Sequence, residues 1–152
     1  KALFQSHVYE EVAHEIYELK NQHQNIGLGM IGELITPVDE KDFLLFVKEK
    51  MQAEGIRHSN FLGKKIKKIA VLGGAGSFAI KNAIQAGADA YLTADLKYHE
   101  FYQAENELLL ADIGHFESER YTKNYIVEYL RKKILNFAVI LSEENTNPVK
   151  YL

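Results

Sequence analysis

The sequence predicts an α/β fold, in which helices cover a mainly parallel β-sheet. Apolar runs of strand length alternate with longer segments of helix type along most of the chain, and the connections between them are short. Two of these runs, at 69–72 and 108–111, contain no polar residue, which is typical of strands buried on both faces of a parallel sheet. Right-handed crossovers through the intervening helices complete the predicted fold class.

The first part of the chain does not extend this alternation. Residues 8–16 predict a short acidic helix and residues 16–20 a strand, whereas residues 21–37, with three glycines and a proline, predict a connector. We therefore divide the chain into residues 1–33, which form the end of a different subdomain and its connector, and residues 34–152, which form the main α/β lobe.

Beyond the connector, a helix over 39–53 opens the alternating region. Asp39 can cap this helix, and Phe43, Phe46 and Val47 recur with helical spacing. Strands are then predicted over 66–72, 90–93, 108–113 and 137–141, helices over 75–85, 97–107 and 116–133, and a polar tail over 142–152. The predicted sheet thus has four strands.

Composition excludes several classes of function. With 47% hydrophobic residues the 152-residue chain can bury one core, and its formal charge of −3 argues against nucleic acid as a partner. The basic run at 64–68 is interpreted as a solvated strand edge. The sequence has no cysteine, which excludes disulfides and thiolate ligands. No apolar stretch approaches the roughly 20 residues that span a bilayer, and we take a cytoplasmic location as the default.

A glycine-rich loop at 73–77 joins a predicted strand to a predicted helix. Gly74, Gly76 and Ala79 have the spacing of a loose dinucleotide-binding fingerprint, and Asp95 follows about 20 residues later, where a ribose-binding carboxylate would lie. Three interpretations stay open: an ordinary strand-to-helix turn, a phosphate contact at a helix start, or a dinucleotide site. Four strands are too few for a complete dinucleotide-binding domain.

The segment at 108–120 carries the strongest signal for chemistry. An apolar strand ends at Asp112, and the next helix begins with His115 and has Glu119 four residues later, so both side chains share one helix face and can reach one divalent metal ion. Asp112 either orients a histidine or ends a strand. His99 and Asp95 follow another strand end at the same sheet edge, although Asp95 alone could cap a helix. The alternative for this segment is a surface helix start with favourably placed carboxylates.

Several of these motifs, taken in order, resemble the C-terminal half of the NIF-three-like family, whose bacterial members are labelled GTP cyclohydrolase I type 2 homologues. The resemblance covers nearly the whole chain and rests on the segments 7–17, 27–34, 73–76, 88–99, 112–119 and 146–149. It implies a two-lobed, layered α/β/α protein that assembles into a toroidal hexamer. Residues 1–33 then correspond to the end of an inserted α+β subdomain.

The resemblance also implies a dinuclear metal site. It makes His115 and Glu119 metal ligands, with the carboxylate bridging two divalent ions per intact subunit, which would be zinc, manganese or iron. His99 is expected to be a catalytic hydrogen-bonding or proton-transfer group, and Gly74, Gly76 and Asp95 are expected to bind substrate. The implied function is a metal-dependent hydrolase acting on a small, nucleotide-like molecule. Two alternatives are a non-enzymatic, metal-stabilised regulatory or scaffold protein and a dinucleotide-binding module.

Two departures from the family pattern affect these expectations. The remaining ligands of the family, an adjacent His-His pair and an aspartate, belong to an N-terminal lobe, and nothing in residues 1–32 replaces them. Ala94 also occupies a position at which the family has glycine, and its methyl group restricts the backbone there. We therefore expect the chain to carry half of a metal site and to bind metal weakly or not at all by itself.

Overall fold

A five-stranded mixed sheet organises the computed structural model, which describes residues 2–9, 11–17 and 26–152. The strands are β1 (Met30–Asp39), β2 (Arg57–His58), β3 (Lys65–Ala75), β4 (Ala90–Ala94) and β5 (Leu109–Asp112). The α-helices are α1 (Ala2–Ser6), α2 (Glu40–Met51), α3 (Ile80–Gln85), α4 (His115–Glu119) and α5 (Thr122–Lys133), and 3₁₀ helices cover Ser77–Ala79 and Tyr98–Ala104.

The strand order is β1-β3-β4-β5-β2, with parallel pairing inside and antiparallel pairing at both outer positions. Ile69 lies opposite Ala90, and Ala90 lies opposite Leu109, so the three inner strands are in direct register. Their carboxyl ends consequently meet at one edge of the sheet, where open α/β folds place ligands. The predicted α/β class is confirmed, and the predicted parallel pairing is found among the three inner strands, whereas the two outer pairings are antiparallel.

Both faces of the inner strands are buried. One core cluster joins α2 to the sheet and contains Phe43, Leu44, Val47, Ile66, Ile69, Ala90, Leu109, Ala111 and Ile113. The opposite cluster joins α3 and the second 3₁₀ helix to the sheet and contains Ala70, Ile80, Ala83, Ala88, Tyr91, Leu96, Ala104, Leu108 and Leu110. Consecutive residues of one strand enter opposite clusters, which explains the unbroken apolar runs and confirms the layered α/β/α arrangement.

The N-terminal predictions are partly wrong. The helix predicted over 8–16 is absent from the described residues of that segment, where Val8 and Ile16 are exposed and no packing supports a short helix. Most of the strand predicted over 16–20 lies outside the described residues. The connector predicted over 21–37 is instead β1 from Met30 onward. β1 tolerates Pro37 because it is an edge strand whose register shifts between Glu33 and Val38.

The C-terminal half also differs from the prediction. No strand forms at 137–141, because β2 already occupies the outer side of β5 and leaves no edge for another strand there. The helix predicted over 116–133 is divided at Arg120 and Tyr121 into α4 and α5. The segment predicted as a helix over 97–107 is a 3₁₀ helix, and the one predicted over 75–85 opens with another. Within the described residues, the sheet therefore has five strands instead of the predicted four.

Two further observations concern the chain as a whole. β1 crosses the predicted boundary between residues 33 and 34 and pairs with β3 on both sides of it, while the division itself stays a prediction. Within the ranges that the structure covers, none of the helices has the length and apolar character needed to cross a membrane.

Candidate metal centre

The carboxyl ends of β4 and β5 bring two separate parts of the sequence together. The last paired residues of these strands are Thr93 and Asp112, which lie opposite each other. Asp95 follows directly after β4, and His115 begins α4 two residues beyond Ile113. Because neighbouring parallel strands end at the same edge, the two side chains meet although 20 residues separate them.

The imidazole of His115 is held by the carboxylate of Asp95. The distance from His115 Nδ1 to Asp95 Oδ2 is 2.6 Å, and each side chain is 51% exposed. A carboxylate can only accept, so Nδ1 carries the proton and donates it, which leaves the Nε2 lone pair available. This pairing of carboxylate and histidine is the arrangement that orients metal-bound histidines in many proteins.

The free nitrogen of His115 faces the carboxylate of Glu119. His115 Nε2 and Glu119 Oε2 are 3.3 Å apart, one helical turn from each other on α4. When two ligand atoms bind the same zinc ion, each is about 2.0–2.2 Å from the metal. If the angle at the metal is a right angle or near-tetrahedral, the two ligand atoms are about 3.0–3.5 Å apart. The pair thus fits two positions of one ion. Among the residues that the structure describes, no third His, Cys, Asp or Glu completes a metal-binding group.

The same surroundings change the proton affinity of the imidazole. The hydrogen bond to Asp95 is the largest effect and raises the pKa of His115 above its ordinary value, partial burial opposes the rise, and the charges of Asp95 and Glu119 add to it. The protonated form of the imidazole therefore persists to higher pH than in a free histidine. Where Nε2 is protonated, a metal ion has to displace that proton before it can bind there.

Gly74 supports the candidate centre through its missing side chain. Its φ of +69° is in the left-handed region, and a Cβ at this position would lie 2.6 Å from Glu119 Oε1 and 3.4 Å from His115 Cε1. The Gly74 N–H donates a hydrogen bond to Ser118 Oγ at 2.8 Å, and its carbonyl accepts one from Thr93 Oγ1 at 3.1 Å. The glycine loop thus packs against α4, and its contact with substrate stays a prediction.

Gly76 is surrounded by the side chains of β4. A Cβ there would lie 2.2 Å from Thr93 Oγ1 and 2.6 Å from the Tyr91 hydroxyl oxygen. The Tyr91 hydroxyl donates to the Gly76 carbonyl at 2.8 Å. Packing alone accounts for a glycine at this position, and the predicted substrate contact of Gly76 also stays a prediction.

Asp112 holds the two loops that carry Asp95 and His115. Its carboxylate is 4% exposed, and Oδ2 accepts from the Leu96 N–H at 2.9 Å while Oδ1 accepts from the Gly114 N–H at 3.0 Å. Leu96 and Gly114 directly follow Asp95 and precede His115, respectively. Asp112 therefore orients the histidine loop in addition to ending a strand, which resolves the choice that the sequence left open.

Arg57 is part of this arrangement and has no signal in the sequence. Its guanidinium forms an ion pair with Asp112 and donates to the Leu96 carbonyl at 2.8 Å. Arg57 lies on the two-residue strand β2, 55 residues away from Asp112. Strands this short have no periodicity, so only the tertiary structure reveals this contact.

A cavity of about 860 Å³ opens beside the candidate centre. Asp95, His115 and Glu119 line it together with α5 and the C-terminal segment up to Tyr151. His99 is exposed on the 3₁₀ helix after β4, where its ring packs edge-on against Tyr98 at 5.2 Å, and it is not among the described residues that line the cavity. Its predicted catalytic role stays a prediction.

Comparison with known proteins assigns the family. The profile of the Duf34/NIF3 (NGG1p interacting factor 3) family matches residues 4–148. The chain belongs to this family. The resemblance seen in the sequence motifs is thereby confirmed. A curated relative from Bacillus subtilis, named GTP cyclohydrolase 1 type 2 homolog, is 36% identical over 156 residues, which cover 99% of this chain and 42% of the relative.

Solved structures of relatives have the same fold. A Bacillus cereus protein related to NIF3 matches with a TM-score of 0.73 and 33% identity, covering 99% of this chain and 43% of that protein. A Staphylococcus aureus protein matches with a TM-score of 0.76 and 30% identity, covering 99% of this chain and 44% of that protein. The chain spans about two fifths of the length of the curated relatives it matches, for example 42% of the Bacillus subtilis protein.

Proposed function

We propose that this chain supplies part of the metal centre of a metal-dependent hydrolase that acts on a nucleotide-like substrate. One observation carries the proposal: Asp95 holds Nδ1 of His115 at 2.6 Å, and Nε2 then faces Glu119 Oε2 at 3.3 Å. Family membership supports it, as does the name GTP cyclohydrolase 1 type 2 homolog that a relative carries.

Each residue of the centre has a distinct part in this proposal. His115 and Glu119 would hold a divalent ion, and Asp95 would keep the imidazole in the tautomer that leaves Nε2 free. The chemistry that such an ion supplies when bound is Lewis-acid polarisation of the substrate and activation of water. His99 remains the candidate for proton transfer, and the loop around Gly74 and Gly76 remains the candidate substrate contact.

The resemblance extends the proposal beyond this chain. It adds two ions per intact subunit, which would be zinc, manganese or iron, and a toroidal hexamer, while a cytoplasmic location stays the default expectation. The two donors found in the described residues agree with a centre whose other ligands belong to a second lobe. The chain alone is then expected to bind metal weakly.

Metal content tests this proposal. Zinc, manganese and iron would be measured by elemental analysis after loading and desalting, both on this chain and on a longer protein that joins it to the N-terminal lobe of its relatives. His115→Ala should abolish site-specific binding in the longer protein. His58→Ala, which removes an exposed imidazole outside the centre, should leave binding unchanged. Equal metal content in the wild type and in His115→Ala would refute the proposal.

The same variants separate an enzyme from a scaffold. If the metal only stabilises an assembly, His115→Ala lowers the melting temperature or changes the oligomer size and there is no nucleotide hydrolysis to lose. A dinucleotide site has less support, because the Asp95 carboxylate is bonded to His115 and the Gly74 N–H to Ser118.

A further inference from the structure

The cavity beside the candidate metal centre contains a buried glutamate that the proposed function does not use. Glu117, in the first turn of α4, lines this cavity together with His115 and Glu119, yet the residue is only 5% exposed. The cavity volume of about 860 Å³ lies within the range of small-molecule sites. A buried carboxylate in such a position requires an explanation, because burial of a charged group is costly unless it is paired or hydrogen-bonded.

Only one of the two oxygens of Glu117 has a partner in the described part of the chain. Glu117 Oε1 accepts a hydrogen bond from Asn147 Nδ2 at 3.0 Å. Asn147 is itself held, because its Oδ1 accepts from the Val149 N–H at 3.1 Å. No basic side chain in the described ranges forms an ion pair with Glu117, and no described group donates to Oε2. The carboxylate is thus fixed by one oxygen and has acceptor capacity on the other.

The position of Oε2 places this capacity next to the cavity. A Cβ on Gly114 would lie 2.2 Å from Glu117 Oε2, so Oε2 lies directly beside Gly114, another residue of the cavity lining. The first turn of α4 donates no hydrogen bond to this oxygen in the described structure. An accessible acceptor oxygen on a largely buried carboxylate, which is fixed through its other oxygen, suits a ligand N–H group.

We propose that Glu117 is the specificity-determining residue of this cavity and that its Oε2 accepts an N–H from the base of the substrate. The inference rests on the proposed function, which makes the substrate nucleotide-like. The base would be a purine with an exocyclic amino group, since such a group provides the N–H donor that the carboxylate lacks. Apolar side chains of Phe116, Ile126 and Val149 line the same cavity and can cover the faces of the ring.

Nucleoside binding tests this proposal with three probes. Adenosine and guanosine carry an exocyclic amino group, whereas purine riboside has the same ring system without any N–H donor on the base. Calorimetric titration of the folded chain should show the amino purines binding about tenfold or more tighter than purine riboside, because a hydrogen bond to a charged group has this magnitude. Far-UV circular dichroism and melting temperature establish that each variant is folded.

Glu117→Gln should abolish this discrimination. The side-chain carbonyl of the glutamine can keep the hydrogen bond to Asn147. Its NH₂ group then occupies the position of Oε2, so two donors face each other and no hydrogen bond to the ligand N–H can form. Glu144→Gln is the matched control, because Glu144 lines the same cavity but is exposed, and discrimination should persist there. Asn147→Ala keeps the charge of Glu117 but removes its anchor, and it should weaken discrimination without abolishing it.

The outcomes distinguish this proposal from the proposed function. If Glu117→Gln discriminates like the wild type, or if none of the nucleosides binds, the role of Glu117 is overturned even when His115→Ala loses metal. If amino purines bind in a Glu117-dependent manner while His115→Ala keeps its metal, the metal centre is overturned and the recognition role of Glu117 stands.

Discussion

At the scale of single residues, the side chain of Asp95 orients the imidazole of His115, the proposed metal ligand. Asp95 adopts a φ of +55°, a left-handed conformation that aspartate tolerates better than most residues. This turn follows β4 immediately, and the Asp95 carboxylate accepts a hydrogen bond from Nδ1–H of His115. Asparagine accepts the same backbone conformation, so an Asp95→Asn variant removes the charge without a new backbone constraint.

The pH dependence of stability should reveal the pair of Asp95 and His115. Asp95 raises the pKa of His115 in the folded chain, so the pair stabilises the metal-free protein below the unfolded pKa of His115, and this contribution disappears as the pH rises through the folded pKa. Asp95→Asn should therefore lower the melting temperature at about pH 5.5 and have much less effect at about pH 8.5. Thermal melts over this range measure the difference, and a pH-independent difference would contradict the assignment.

Gly74 permits a direct test of the space beside Glu119. Gly74→Ala should destabilise the chain by about 1–2 kcal/mol through its left-handed conformation alone, and the new methyl group should also displace Glu119, whose Oε1 would be 2.6 Å away. Gly63→Ala is the matched control, since Gly63 has the same φ of +69° with no atom within 4 Å of its Cβ position. Chemical denaturation should show the larger loss for Gly74→Ala, and only that variant should weaken metal binding in the longer protein. Equal losses would mean that Glu119 moves aside freely.

At the scale of secondary-structure elements, the loops after β4 and β5 depend on one carboxylate. Asp112 ends β5 and accepts hydrogen bonds from the backbone on both sides of the candidate metal centre, at Leu96 and at Gly114. β2 adds Arg57 to the same carboxylate. Three separate elements thus depend on Asp112, so its effect should reach beyond the stability of its own strand.

Asp112→Asn should destabilise the chain by about 2–3 kcal/mol. The backbone N–H groups of Leu96 and Gly114 each bond to a different oxygen of Asp112, and an amide side chain has only one acceptor oxygen. Asp89→Asn is the control, since Asp89 Oδ2 accepts from the backbone N–H groups of Lys67 and Lys68, at 2.9 and 2.7 Å, far along the strands from the centre. Denaturation should show the larger loss for Asp112→Asn, because both hydrogen bonds of Asp89 go to one oxygen, which an amide can keep. Metal affinity of the longer protein should fall only for Asp112→Asn, and an equal fall in both would refute a specific role in positioning His115.

At the scale of the whole molecule, stability comes from a sheet that is covered on both faces. The two core clusters meet the same inner strands from opposite sides, while the outer strand β1 leaves Met30 and Ile35 exposed. Helix α5 has no buried residue, and its Tyr125 and Tyr129 are exposed, as is Tyr121 directly before the helix. The buried volume is therefore concentrated between α2, α3 and the inner strands.

The same Ile→Ala substitution at a buried and at an exposed position should show where in the molecule the stability is concentrated. Ile66 is 1% exposed in the cluster under α2, and Ile66→Ala should lower the free energy of unfolding by about 2–5 kcal/mol. Ile35 is fully exposed on β1, and Ile35→Ala should change it by less than about 0.5 kcal/mol. Urea denaturation measures both values. A comparable loss at Ile35 would mean that its side chain is buried in solution.

Much of the fold was predictable because the relevant signals are local. The inner strands have continuous apolar runs, and α2 has apolar residues at helical spacing. β2 has only two residues, and β1 contains Pro37 and glycine, so neither has a strand pattern. The apolar segment at 137–141 has a strand pattern but finds no free edge next to β5. The pattern of one segment cannot show which edges of the sheet are already occupied by other strands.

For the candidate site, too, the local features were predictable and the contacts between distant parts of the sequence were not. The sequence by itself determined the family, the α/β class and the pair of His115 and Glu119, since helical periodicity brings residues four apart onto one face. Only the tertiary structure decided that Asp95 holds His115, that Arg57 reaches Asp112 across 55 residues, and that Glu117 lies buried beside the cavity. The physical reason is that these contacts depend on which strands pair and where they end, and strand pairing joins residues that are distant in sequence.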